Sequence, residues 1–397
     1  MAQPVRKIIK EQHPELGEPS TYTLLIDGTN LLRISFVDDK VNTQGVHYGG
    51  VFQFLLQIKL LLKKKNFDYV YVFFDDENSG ILRYRIYKDY KANRDKHYEV
   101  LDNEEGLSDY MKAYNANLRA MAKAIYNKKK GKVTSDKEKM VKENFSRERE
   151  ILMRYFNELF IRWVFDDKTE GDDLIAYYVK NKKPNDKVVI VSGDEDLTQL
   201  ISDTVCIYNP RLKKFVSHQN FKELKGFVHE NVVIKKIFCG DTSDNIGNIS
   251  GLSETALFNL MPELKDRPVT INEIKERASE KIEERKREKK KPLKIHENIV
   301  NGVSKRYYEG DFYEINAKII DLKNPLVTEE AKEEMDATMY APMDPEDRSF
   351  ENLYRYILED DITDLKNRDR FANFFADFNP LINKEITRYN DFIKRKK

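Results

Sequence analysis

Three short runs of β-branched and aromatic residues, TYTLLID (Thr21 to Asp27), DYVYVFF (Asp68 to Phe74) and KVVIVS (Lys187 to Ser192), each have an acid at or just past their end: Asp27, Asp75 and Asp194. Runs of this length, apolar at nearly every position and bounded by polar turns, are expected of strands buried on both faces, as in a parallel sheet. Between and after them lie VFQFLLQIKLLLKKK, EGDDLIAYYVKNKK and DLTQLIS, with apolar residues at helical spacing. The β, α, β, α order predicts an α/β fold built on a doubly wound, mainly parallel sheet, whose ligands gather at the carboxyl ends of the strands. Acids far apart in sequence then meet in one place.

The acids are also doubled. EGDD supplies Glu170, Asp172 and Asp173, SGDEDLTQL supplies Asp194 and Asp196, and GDTSDN supplies Asp241 and Asp244. Acids can simply start helices, and Thr169 with Asp172, or Ser192 with Glu195, has the spacing of a capping box or its near variant. Capping does not account for the second acid of each pair. Carboxylates crowded together without cations raise one another's pKa and weaken the fold, so the pattern calls for bound metal. Oxygen-only donors, with no nearby Cys or His pair, select a hard cation, Mg²⁺ with Mn²⁺ as substitute, over zinc. Two such ions roughly 4 Å apart can activate a water and stabilise the leaving oxygen of a phosphodiester.

Over 397 residues the formal charge is only +1, but the signs are segregated, with bases gathered in RYRIYKDYKANR and KKKGK. In the first of these, Arg83, Tyr87, Lys91 and Arg94 repeat at helical spacing, a pattern that suits phosphate contact with base stacking. A surface helix with tyrosines packed on the sheet is the plainer reading. Its start just beyond Asp75 places Arg or Lys where charge would develop on a metal-bound phosphate. Residues 96–150 are polar and strongly basic, as a long helix-permissive insertion would be. NEIKERASEKIEERKREKKK is an alternating-charge helix with few apolar residues. Two cysteines exclude a disulfide framework and a zinc ribbon and suit a reducing cytosol. The N-terminal stretch lacks a signal-peptide core, and FLLQIKLLL is too short and too interrupted to span a membrane. A soluble, cytoplasmic protein is expected.

Taken in order, LLIDGTN, FFDDENSG, LRYRIYKDYKANR, EGDDLIA, SGDEDLTQL and GDTSDNIGNISG resemble the 5′ nuclease family of flap endonucleases and 5′ to 3′ exonucleases. KIIDL and LYRYIL toward the C-terminus resemble the T-even-phage type of ribonuclease H within it. The resemblance implies a PIN-like nuclease core carrying a two-metal phosphodiesterase that removes 5′ ends or flaps, including RNA primers during DNA replication (in a host cytoplasm if phage-encoded). It implies Asp27, Asp75, Glu170, Asp172 and Asp173 at the first metal, and Asp194, Asp196, Asp241 and Asp244 at the second. It gives Arg83 and Lys91 to the scissile phosphate and makes the basic insertion a helical arch, with Arg85, Arg94, Lys128, Lys129, Lys130 and Lys132 as further nucleic-acid contacts.

The expected organisation is an N-terminal extension at 1–20, a nuclease core at 21–225 with the arch at 96–150, and a helical C-terminal region at 226–397. Expected partners are branched or duplex DNA and RNA–DNA hybrid with a 5′ single strand, with a single-strand-binding protein or sliding clamp as protein partner, for a monomeric chain. One departure stands out: ISGLSETA keeps Gly251 but has Ser253 and Glu254 where the family has a glycine-rich, basic hairpin that grips the duplex. Two other functions compete. A PIN-type RNA endonuclease shares the acidic core but lacks the arch-like insertion and GDTSDN. A catalytically silent junction-binding protein would have no reason to keep a costly acid set.

Overall fold

Apolar side chains alternate across each strand, so the sheet is buried on two sides. The computed structural model describes residues 21–76, 78–92 and 135–396, with backbone alone over 135–142. In chain order the elements are β1 (Tyr22–Asp27), α1 (Gly28–Ser35), α2 (Gly49–Lys64), β2 (Tyr69–Asp75), α3 (Ile81–Ile86), α4 (Ser135–Glu158), β3 (Arg162–Asp166), α5 (Gly171–Asn181), β4 (Lys187–Val191), β5 (Val205–Asn209) and β6 (Lys214–Val216). There follow α6 (Phe221–Lys225), α7 (Val232–Cys239), α8 (Glu254–Leu260), α9 (Ile271–Arg287), α10 (Lys294–Asn301), α11 (Phe312–Ile320), α12 (Glu329–Thr338), α13 (Phe350–Glu359), α14 (Arg368–Phe375) and α15 (Asn379–Lys396).

The sheet runs β3-β2-β1-β4-β5-β6. It is parallel except for the β5–β6 edge pair. The direction of winding changes between β1 and β4, and that change opens a crevice at their carboxyl ends. Leu24, Ile26, Val70, Val72 and Phe74 face one layer with α1, α2 and the second half of α4. Leu25, Tyr69, Tyr71 and Phe73 face the opposite layer with α5. This period of two is what a strand buried on both faces requires. Gly28 begins α1 hard against β2, where an added Cβ would lie 2.8 Å from the Phe73 carbonyl oxygen.

A third apolar cluster joins Tyr87 and Tyr90 to α7, α8, α9, α10 and α11 through Phe238, Leu257, Ile274, Ile299 and Phe312. The C-terminal segment does not stay with it. Leu353, Ile357, Phe371, Phe374, Phe375, Phe378 and Leu381 complete the layer over β1 and β2 instead. Arg162 at the start of β3 forks onto Glu385 of α15 with both side chains buried. No described helix is long and apolar enough to cross a membrane.

Two local expectations are corrected. The basic segment is not one continuous helix, because α3 ends at Ile86 and the chain then turns through Lys91, whose φ is +53°. The capping boxes that the spacing at Thr169 and Ser192 would allow are absent: Glu170 occupies the N-cap position of α5 without a side-chain cap, and the Ser192 hydroxyl donates to Asp27 Oδ2 at 2.7 Å. Arg94, Lys128, Lys129, Lys130 and Lys132, and with them most of the expected arch, lie outside the described residues. α4 begins within the expected insertion and runs on to Glu158, so its second half is core.

Candidate functional site

Asp27 closes β1 and also caps α1, accepting from the Asn30 amide at 2.9 Å. Asp75 closes β2 and accepts from the Gly171 amide at 2.8 Å, which ties the start of α5 to the neighbouring strand end. The first turn of α5 carries Asp172 and Asp173. Just past β4, the Asp194 amide donates to Ser192 Oγ at 2.9 Å, and Asp194 Oδ1 accepts from the Asp196 amide at 2.8 Å. These turns direct carboxylates from four chain segments into one crevice. A cavity of about 120 Å³ is lined there by Asp27, Asp75, Glu170, Asp172, Asp194, Asp196 and Asp244, with Arg33, Arg83, Lys91 and Lys236 as its cations. Seven acids face four bases.

The electrostatics divide the acids into two groups. Burial, then Asp75, pushes Asp27 up to about 7 against the hydrogen bonds from Asn30 and Ser192. Burial, then Asp27, Asp194 and Asp75, pushes Asp172 well above the carboxylate range. These two are starved of positive charge. Glu170 is also raised by burial, but Lys91 and Arg83 outweigh that and hold it well below its ordinary value. Burial likewise raises Asp241, but Lys236 and Ser243 bring it down to about 2.

Arg83 is buried at 6% exposure, bridging Glu170 and Asp173 and donating from Nε to the Ile319 carbonyl at 2.8 Å. Asp173, fully buried, accepts from both guanidinium Nη atoms and from the Leu326 amide at 2.9 Å. Both its oxygens are committed, and it does not line the cavity. Arg83 therefore positions Glu170 and α5 from beneath. Lys91 reaches Glu170 Oε1, and its amide donates to the Asp244 carbonyl at 2.9 Å. Arg85 is exposed on α3. Asp241 lines an adjoining opening with Asp194 and Asp196.

Three contributors escaped the sequence. Lys236 lies between Asp196 and Asp241, 2.6 Å from the latter. Its only sequence signal was a lysine in the apolar VVIKKIF run before GDTSDN. The Tyr90 hydroxyl donates to Glu170 at 2.8 Å and lies 3.3 Å from Asp244, so it joins α5 to the GDTSDN turn. Ser192 supports Asp27. At the altered hairpin, Gly251 has φ +82°, Ser253 caps α8 by accepting from the Ala256 amide, and Glu254 pairs with Lys235 at 3.4 Å.

The donor set suits a divalent cation. It is all oxygen, it is concentrated, and the raised Asp27 and Asp172 show that the protein's own cations leave part of it unneutralised.

A family model described as 5′-3′ exonuclease, N-terminal resolvase-like domain, matches residues 22–232, more than half of the chain. The 5′-3′ exonuclease of Mycoplasmopsis pulmonis (strain UAB CTIP) is 27% identical over 251 residues, covering 63% of this chain and 69% of that protein. DNA polymerase I of Bacillus subtilis (strain 168) is 24% identical over 270 residues, covering 66% of this chain and 26% of the polymerase, so the chain spans about a quarter of that relative. Two solved structures share the fold. The bacteriophage T5 5′-exonuclease with bound zinc has a TM-score of 0.51 at 17% identity, covering 85% of this chain and 98% of that one. A T5 flap endonuclease complex with DNA and metal ions has a TM-score of 0.50 at 16% identity, covering 85% and 97%.

Proposed function

The chain belongs to the 5′-3′ exonuclease N-terminal, resolvase-like domain family, and from that premise we propose that it is a divalent-metal-dependent 5′ nuclease. It hydrolyses phosphodiesters at 5′ ends or flaps of branched or duplex nucleic acid, with RNA primers in RNA–DNA hybrid among its substrates during replication. The observation that carries this reading is the single crevice in which seven carboxylates converge at the ends of β1, β2 and β4. The T5 relatives, solved with metal ions and in one case with DNA, give it support by likeness of fold.

In this reading Asp27, Asp75, Glu170 and Asp172 hold one divalent ion, and Asp194, Asp196, Asp241 and Asp244 a second; Mg²⁺ fits an oxygen-only set. Bound cations supply a water of lowered pKa and polarise the phosphoryl oxygens. The chain's own groups do the rest. Asp75 accepts the Gly171 amide, Asp27 accepts the Ser192 hydroxyl, and Arg83 with Asp173 clamps the start of α5, so the carboxylates are set before substrate arrives. Lys91 and Lys236 now neutralise Glu170, Asp196 and Asp241. Both ammonium groups stand in the crevice that a phosphate would enter, where a cation would stabilise developing charge.

The test uses end-labelled flap, nicked and RNA-primed duplexes, incubated with Mg²⁺ or with chelator and read by product length. Short products released from the 5′ side in Mg²⁺ alone are expected. Cleavage that persists in chelator removes the metal reading, and products released only from the 3′ side remove the 5′ polarity.

A further inference from the structure

Away from the acidic crevice, the chain between β6 and α7 brings together a second set of ligand atoms of different chemistry. His218 follows β6, and His229 and Glu230 lie in the 3₁₀ turn His229–Asn231 that leads into α7. His218 Nδ1 and His229 Nε2 are 3.0 Å apart, His229 Nε2 and Glu230 Oε1 are 3.5 Å apart, and one donor atom from each residue lies within 4.8 Å of the others. None of the three lines the acidic cavity.

These separations bracket the ligand–ligand edge of a small tetrahedral site. With metal–nitrogen bonds of about 2.0–2.1 Å, tetrahedral donors stand roughly 3.3 Å apart. The rings are held in place by packing. His229 is 9% exposed and meets Phe221 edge-on at a centroid distance of 6.1 Å, while Phe221 is edge-on to Phe227 at 5.5 Å. His218 meets His229 edge-on, at 76° with centroids 5.3 Å apart, and its Nδ1 is the edge atom that reaches His229 Nε2. His229 Nδ1 is buried with no hydrogen-bond partner, so the ring's polar contacts, to His218 Nδ1 and Glu230 Oε1, both converge on Nε2, the nitrogen that would face an ion held between the three side chains.

We propose that His218, His229 and Glu230 form a binding site for a transition-metal cation of the Zn²⁺ class, with its fourth position open to water. Two imidazoles and one carboxylate select such an ion over Mg²⁺, the reverse of the preference of the oxygen-only crevice. The site fastens the segment after the sheet edge to the start of α7, the helix that carries Lys235 and Lys236 and ends beside Asp241. Occupancy therefore stabilises the chain segment on which one wall of the acidic crevice stands.

The full chain, kept in excess Mg²⁺ so that oxygen-only ligands are occupied, is titrated with Zn²⁺ by calorimetry and with Co²⁺ by visible absorption. Wild type, His218→Ala, Glu230→Gln and Asp194→Asn are compared. A single equivalent is expected in the wild type, with an intense absorption of four-coordinate Co²⁺ and a rise in Tm. His218→Ala is expected to weaken binding by more than about a hundredfold, beyond the roughly ten- to hundredfold loss that follows removal of a supporting contact to a ligand. Because His218 is exposed, its Tm without zinc should match wild type. Glu230→Gln should weaken Zn²⁺ in the same direction, and Asp194→Asn should leave the isotherm unchanged. Three results overturn the site: no Zn²⁺ uptake in Mg²⁺, the same isotherm in His218→Ala as in wild type, or binding lost only in Asp194→Asn. Any of them reduces the pair to a direct imidazole–imidazole hydrogen bond or moves the ion to the crevice.

Discussion

Asp27 and Asp172 are the two acids whose charge the protein's own cations do least to offset, and this makes the metal-free protein pH-sensitive. An acid whose folded pKa lies above its unfolded value of about 4 binds its proton more readily in the folded state, so stability falls as pH rises through that window. For Asp27 the window runs up to about 7. Glu170, held low by Lys91 and Arg83, acts in the opposite sense, but only when acid is added below the ordinary carboxylate range. In chelator, Tm should therefore fall as pH rises from about 4 to about 7. Asp172→Asn should flatten that fall, and Mg²⁺ should reverse it. A pH-independent Tm that Mg²⁺ leaves unmoved would contradict the charge-starved crevice. Asp196→Asn tests the chemistry at the same scale. Turnover should drop by about two orders of magnitude or more while nucleic-acid affinity and Tm stay close to wild type. Lys91→Ala should slow single-turnover cleavage more than it weakens binding; a change confined to the salt dependence of binding would make Lys91 an ordinary phosphate contact.

At the scale of elements, α4 and α8 each carry a particular consequence. Glu148, fully buried on α4, accepts from the Val51 amide at 2.8 Å and from His47, which anchors the helix leading out of the basic insertion to α2. At α8, the Ser253 cap and the Glu254–Lys235 pair occupy the turn where the family has a glycine-rich, basic hairpin. An acidic side chain there repels a phosphate and holds Lys235 back from it. Glu254→Lys should strengthen binding to the duplex arm of a flap substrate and steepen its salt slope by about one unit or slightly less. Unchanged duplex affinity would mean that the duplex does not pass over α8.

At the scale of the molecule, the last fifty or so residues are part of the core around the sheet and not an appendage to it. Arg162 and Glu385 form a buried ion pair between β3 and α15, and Arg388 adds a second cation at 2.7 Å. Glu385→Ala leaves Arg162 buried without its partner and should destabilise the fold by about 3–5 kcal/mol, measured by urea unfolding. A chain ending at Asp347 loses Leu353, Ile357, Phe374, Phe375 and Phe378 from the layer over β1 and β2. It should fail to give a cooperative unfolding transition. If the shortened chain melted sharply near the wild-type Tm, the C-terminal helices would be dispensable cover.

The sequence by itself determined β1, β2 and β4, the mainly parallel character of the sheet and the acids at those strand ends, because these features rest on local periodicity and on where an apolar run stops; β3, β5, β6 and the strand order came only with the structure. Asp27, Asp75 and Asp194 were legible for that reason. Which acids share the crevice and which are spent on structure was decided only by tertiary packing. Asp172 and Asp173 are neighbours in EGDD, yet one turn of α5 sends the first to the cavity and the second to Arg83 and the Leu326 amide. Arg83 and Lys91 read as one basic face until the chain breaks after Ile86, burying the guanidinium and carrying the ammonium round through a left-handed turn to Glu170. Lys236 and Tyr90 gave little signal, since a lysine in an apolar helix and a tyrosine in a basic run acquire meaning only from the acids that folding sets beside them. The return of α13, α14 and α15 to the sheet was equally silent, because an amphipathic helix specifies that it will be covered on one face but not by what.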